Sequence, residues 1–106
     1  MAQENMALTE AVYYILLSLH TPLHGYGIML KVNELSSGRV KLAAGTLYGA
    51  INTMLDKRWI KALPGEKNSR KKEYIITDVG REATINELAR LRELLANGEL
   101  ISGDVI

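Results

Sequence analysis

The 106-residue sequence contains no cysteine. That excludes a disulfide framework, a thiolate zinc site, a thiol nucleophile and a cysteine-based redox switch. Long apolar runs are also missing. The longest, Ala11 to Leu17, is far too short to span a bilayer. The opening MAQENMALTE lacks the basic start and the compact apolar segment of a secretory signal. There is no glycine-rich phosphate loop and no Gly-x-Ser-x-Gly nucleophile motif. His20 and His24 are four apart but straddle Pro22, so they cannot share a helix face as zinc ligands would. The carboxylates read as scattered over surfaces. These absences argue against an enzyme, a metal site, a cofactor and a membrane protein. They fit a soluble, cytoplasmic one.

What is present describes a globular chain, 47% hydrophobic and 24% charged. One domain of this size buries a modest core, so a second subunit would add useful burial. The net charge of +1 is uninformative, but its distribution is not. Residues 1–36 carry one basic and three acidic groups. Residues 37–77 carry nine basic and three acidic, and residues 78–106 carry three basic and six acidic. A cationic middle between acidic ends suits a polyanion on one face and other partners elsewhere. Ordinary surface charge is the competing reading.

The spacing of apolar residues predicts four helices and two strands. The first helix runs from Leu8 to His20, with Thr9 or Asn5 as its cap and Thr21–Pro22 as its end. It is apolar on all sides, which predicts burial on more than one side and contact with a second subunit. A second helix runs from His24–Gly25 to Leu35. Gly27 near its start implies close approach of some other group. A third runs from Ala44 to Lys57, with Leu47, Ile51, Met54 and Leu55 on one face. Thr46, Tyr48, Gly49, Asn52, Thr53 and Asp56 lie on or beside the other face. That outer face is mostly uncharged hydrogen-bonding groups, where a merely solvated helix carries more Lys and Glu. Trp59–Leu63 and Glu73–Thr77 read as strands around a Pro64–Gly65 turn with a basic tip. A last helix runs from Thr77 or Asp78 to Ala96. Ile85, Leu88, Leu91 or Arg92 and Leu95 form its stripe, Leu94 widens it, and Asn97–Gly98 is the expected stop. The tail from Glu99 to Ile106 reads as poorly ordered. A terminal amphipathic helix with no later element to pack on points to pairing across a dimer.

Helix, helix, helix, strand, basic turn, strand, helix is the order of a winged helix-turn-helix, a mainly α (α+β) fold with a two-stranded wing and a C-terminal dimerisation helix. In that geometry the third helix enters the DNA major groove and the wing meets phosphates beside it. Thr46, Tyr48, Gly49 and Asn52 are then the groove-facing candidates. Asn can pair with adenine, Thr can touch a thymine methyl, and Tyr48 can instead donate to a phosphate. Lys67, Asn68, Ser69, Arg70, Lys71 and Lys72 are the wing candidates, and Arg39 and Lys41, which precede the third helix, can flank the DNA backbone. A basic hairpin tip is also what a plain solvated turn carries, so the order of the features bears the weight.

Three segments resemble the PadR family of transcriptional regulators: Leu23-His24-Gly25-Tyr26; Gly45-Thr46-Leu47-Tyr48 with Ile51, Leu55 and Trp59-Ile60; and Lys72-Glu73-Tyr74-Ile75-Ile76-Thr77 followed by Gly80. The resemblance spans about residues 8–95. It implies a cytoplasmic homodimeric repressor that binds a pseudo-palindromic operator in double-stranded DNA and is released by an effector. It implies a DNA-binding domain over residues 1–77 and a dimerisation helix and tail over 78–106. The last helix of one chain would pack on the first helix of the other, through Ala11, Tyr14, Ile15, Ile85, Leu88, Leu91 and Leu95. His24 and Tyr26 become candidates for phosphate contact at a helix N-terminus. Tyr26 can alternatively pack between helices, and His24 can simply cap. The helix after Asp78 has no aromatic residue, so a small aromatic or apolar effector would have to stack on Tyr13, Tyr14 or Trp59. Two rival readings stay open. One is a winged-helix protein-interaction module that does not bind DNA. The other is a protein whose main work is sensing small aromatic compounds.

Overall fold

The computed structural model describes residues 7–64 and 72–103 of the chain. Seven elements follow in order: α1 (Glu10–Ser18), β1 (Leu23–His24), α2 (Gly25–Leu35), α3 (Ala44–Asp56), β2 (Ile60–Ala62), β3 (Glu73–Ile76) and α4 (Asp78–Ser102). The fold is mainly α with a small antiparallel sheet, as the sequence predicts. Among the described residues no helix is long and apolar enough to cross a membrane.

α1 begins where Thr9 accepts a hydrogen bond from the Val12 amide, and it ends at Leu19 ahead of the proline. It is shorter at both ends than the expected span of Leu8 to His20. Ile15, Leu16 and Leu19 are wholly buried, while Ala11 to Tyr14 are half-buried. α1 packs on both α2 and α4. α2 and α3 each close with a left-handed residue, Ser37 (φ 55°) and Arg58 (φ 62°). The next amide in each case reaches back to the last turn, Gly38 to the Asn33 carbonyl at 2.8 Å and Trp59 to Met54 at 3.0 Å. One core gathers Ile15, Leu16, Leu19, Ile28, Val32, Leu47, Ile51, Met54, Ile60, Tyr74 and Ile76.

The sheet has three strands in the order β1-β3-β2, not two. Leu23 pairs with Tyr74 and His24 with Glu73, while Ile60, Lys61 and Ala62 pair with Ile76, Ile75 and Tyr74. A two-residue strand after proline is too short to carry an alternation pattern, so periodicity could not reveal β1. It ties the start of α2 to the base of the wing.

α4 departs most from expectation. It continues through Asn97–Gly98 to Ser102 and stops at Gly103, whose φ is 89°. Asn-Gly permits a stop but does not compel one. Its first turns do have a partner in the same chain, since Gly80, Thr84 and Glu87 are buried there. A Cβ on Gly80 would lie 2.8 Å from Ile76 Cγ1 and closer still to the Trp59 carbonyl oxygen, so only glycine fits. Thr77 caps the helix by accepting from the Gly80 amide, and its hydroxyl donates to the Arg58 carbonyl at 2.6 Å. Glu87 corrects the expectation that carboxylates lie on surfaces. It is 5% exposed, accepts from Arg90 at 2.9 and 2.5 Å, and also accepts from the Leu8 amide at 3.2 Å. From Leu91 to Ser102 every residue is exposed.

Candidate nucleic-acid interface

α3 is set in place by its inner face. Leu47, Ile51 and Met54 are buried, which turns Tyr48, Gly49 and Asn52 outward, with Thr46 on the flank; all four are exposed. Thr53 donates to the Gly49 carbonyl at 3.2 Å and so joins this surface as a satisfied hydroxyl. Among the described residues, a Cβ on Gly45 or Gly49 would meet nothing within 4 Å. Packing among the described residues therefore gives no reason for two glycines in a helix, each costing up to about 1 kcal/mol relative to alanine.

The start of α2 lies against this face. A Cβ on Gly25 would sit 2.8 Å from Tyr48 Cζ and nearer still to the Tyr48 hydroxyl. The close approach that the sequence suggested for Gly27 therefore belongs chiefly to Gly25, two residues earlier. A Cβ on Gly27 would meet side-chain atoms of Leu23 and His24 no closer than 3.3 Å. Two of the motif segments thus meet through one contact. His24 caps α2, its Nδ1 accepting from the Gly27 amide at 3.2 Å. Tyr26 is 64% exposed, which removes the packing alternative for it. Beneath them the Tyr74 phenol is held above its ordinary pKa, first by burial and then by the nearby Tyr48. The half-buried His24 and the exposed Tyr26 flank the buried Gly25, at the place where the start of α2 meets Tyr48 of α3.

The basic residues divide. Lys72 and Lys41 are exposed. Lys67, Asn68, Ser69, Arg70 and Lys71 lie outside the described residues. Arg39 is engaged by Glu10 of α1 through two hydrogen bonds, one of 2.9 Å between Nη1 and Oε1 and one between Nη2 and Oε2. Hydrogen bonding from Arg39 holds the Glu10 carboxyl below its usual range.

The residues expected to face a second subunit also divide. Ile85, Leu88, Leu91 and Leu95 are exposed, and Ala11 and Tyr14 are half-buried. Ile15 is a correction: it is fully buried in its own core and has no surface to offer a partner. Leu94, Leu100 and Ile101 extend the exposed apolar surface at 52%, 78% and 81%. The last two were hidden in the sequence behind the expected stop at Gly98. Of the aromatic candidates, Tyr13 and Tyr14 are half-buried with ring centroids 6.4 Å apart, and Trp59 is half-buried with the Lys57 ammonium 5.3 Å from its ring centre. Among the described residues no group of three or more acidic or histidine side chains is gathered as a metal site.

Comparison with known proteins gives this geometry its context. No curated protein matches the sequence. The fold is similar to the crystal structure of a PadR family transcription regulator from Clostridium difficile, with TM-score 0.72 at 22% identity, covering 89% of this chain and 98% of that one. It is similar to a PadR family regulator from Eggerthella lenta, with TM-score 0.71 at 22% identity, covering 88% and 82%. It is also similar to a PadR-like regulator from Bacillus cereus, with TM-score 0.69 at 17% identity, covering 91% and 92%. Residues 14–86 match the transcriptional regulator PadR-like family. The chain therefore belongs to that family, and like its members it is a regulator of transcription and not an enzyme.

Proposed function

We propose that the protein is a homodimeric, cytoplasmic repressor that binds a pseudo-palindromic operator in double-stranded DNA and is released by a small effector. The observation that carries the reading is the outer face of α3, where Gly45, Tyr48, Gly49 and Asn52 are exposed without a packing reason among the described residues for either glycine. A smooth, uncharged, hydrogen-bonding helix surface suits the major groove, where base edges present donors and acceptors. Thr46, Tyr48, Gly49 and Asn52 are its groove-facing residues. His24 and Tyr26 at the start of α2, Lys41, Lys72 and the wing residues Lys67 to Lys71 serve the phosphates. In this reading residues 1–77 bind DNA and residues 78–106 pair the subunits.

The pairing is supported by the pattern of α4. Gly80, Thr84, Glu87, Leu91, Leu94, Gly98 and Ile101 alternate spacings of four and three and so share one helix face, which carries large apolar side chains at Leu91, Leu94 and Ile101. The first three are buried against their own chain, and the last four are exposed. A second copy is the occupant that continues the packing along this face, with Leu88 and Leu95 beside it and the partner's α1 opposite. Tyr13, Tyr14 and Trp59 are the aromatic groups on which an effector would stack.

The test is a salt titration of binding to random and selected duplexes. Arg70→Ala with Lys71→Ala should weaken both equally and make the salt slope shallower. Asn52→Ala should weaken only the selected duplex. Absence of salt-dependent binding by the unaltered protein would overturn the reading in favour of a protein-interaction module.

A further inference from the structure

We propose that Arg39 is a positioning residue, a strap from α1 to the segment that sets the start of α3, and that it makes no phosphate contact of its own. The proposal rests on the DNA-binding reading for its affinity readout but not for its structural one.

Sequence order alone gives Arg39 to the DNA backbone, because it is a cation just ahead of α3. The geometry gives it a different partner. Both guanidinium arms are on the Glu10 carboxylate, in the first turn of α1. Exposed ion pairs generally contribute little, and the bidentate Arg–carboxylate fork is the exception with real directional hold. The Tyr14 phenol adds to what Glu10 does in keeping the Arg39 charge. An arginine so paired presents no net charge to a polyanion.

The strap matters because of what α3 lacks. Its N-cap is Ala43, which offers no side-chain bond to the free amides of the first turn. The position of the first turn therefore depends on residues 36–43. Ser36 holds one end of that segment, donating to the Val32 carbonyl and accepting from the Val40 amide, each at 2.9 Å. Val40 and Leu42 pack against the core. Arg39 holds the remaining side, and it does so from α1, the helix expected to lie next to the other subunit. Tyr14 and Ala11, both expected at that interface, are one turn or less from Glu10. The pair thus links the dimer side of the chain to the end of α3 nearest the DNA.

The experiment compares Arg39→Ala, Glu10→Ala and the exchanged pair Glu10→Arg with Arg39→Glu. In the DNA-free protein, amide hydrogen exchange at Val40 and Leu47 should speed up in both single variants and return in the exchanged pair. With DNA, each single variant should lose about tenfold in affinity for a selected operator and little for random duplex, with the salt slope unchanged. The exchanged pair should recover most of the loss. Unchanged exchange at Val40 and Leu47 in both single variants would overturn the strap. So would an Arg39→Ala loss equal on both duplexes with a slope reduced by about 0.9, the mark of a lost phosphate contact. If the unaltered protein binds no DNA, the functional reading fails while the exchange data still judge the strap.

Discussion

The outer face of α3 and the distal half of α4 are both bare, and they are chemically opposite. The first is made of glycine, hydroxyl, phenol and carboxamide groups. The second presents Leu91, Leu94, Leu95, Leu100 and Ile101. A bare polar surface keeps its hydration until a ligand with matching donors and acceptors replaces it. A bare apolar one gains most by meeting another apolar surface. The difference teaches that exposure alone says little about function. Under the proposed function, the chemistry of the exposed atoms suits one surface to a hydrated polyanion and the other to a second protein chain.

The largest effect should come from charging the apolar surface. Leu91→Glu with Leu94→Glu should cost the dimer about 4 kcal/mol or more, because each substitution enters twice across a symmetric interface. Sedimentation should show monomers, and operator binding should fall with them. An unchanged dimer would place the interface elsewhere. Next comes the anchored half of the same helix. Gly80→Ala forces a methyl against the Trp59 carbonyl and should destabilise the fold by about 3 kcal/mol, read by denaturant unfolding. A smaller effect separates the polar surface from both. Asn52→Ala should cost about 2 kcal/mol on a selected operator with the dimer intact, read by anisotropy. Equal loss on random duplex would remove Asn52 from the reading face.

The smallest effect concerns pH and again contrasts the two halves of α4. The Arg90 guanidinium holds the Glu87 carboxyl below its ordinary value of 4.5. A carboxyl depressed in the folded state stabilises above its unfolded pKa, and that contribution is lost as pH falls through the folded value. The midpoint of thermal unfolding should therefore fall more steeply in acid for the unaltered protein than for Glu87→Gln. Identical acid profiles would show that Glu87 contributes nothing through its charge.

The parts of the fold that were legible in the sequence are those with a period. The inner face of α3, the strands around the wing and the order of the four helices and these two strands follow from spacing, and the motif segments around His24, Tyr48 and Tyr74 pointed to the family. What spacing could not show has physical causes. β1 is two residues long. Gly25 and Gly80 are explained only by what approaches them in space. Glu87 looks like a surface carboxylate until Arg90 and the Leu8 amide are seen to satisfy it. Arg39 looks like a lone cation until Glu10 is found on it. Gly98 looked like a helix end because Asn-Gly often is one, yet the left-handed residue is Gly103. The candidate face of α3 was read from its pattern, whereas its junction with α2 through Tyr48 and Gly25 required coordinates.

The central claim is that pairing through α4 presents two copies of the α3 outer face to one duplex. Selection of bound DNA from a random pool tests it most directly. The account predicts enriched sites made of two inverted half-sites, with centres separated by about one helical turn or a whole multiple of it. Recovery of a single unpaired half-site, or no enrichment over the starting pool, would contradict it.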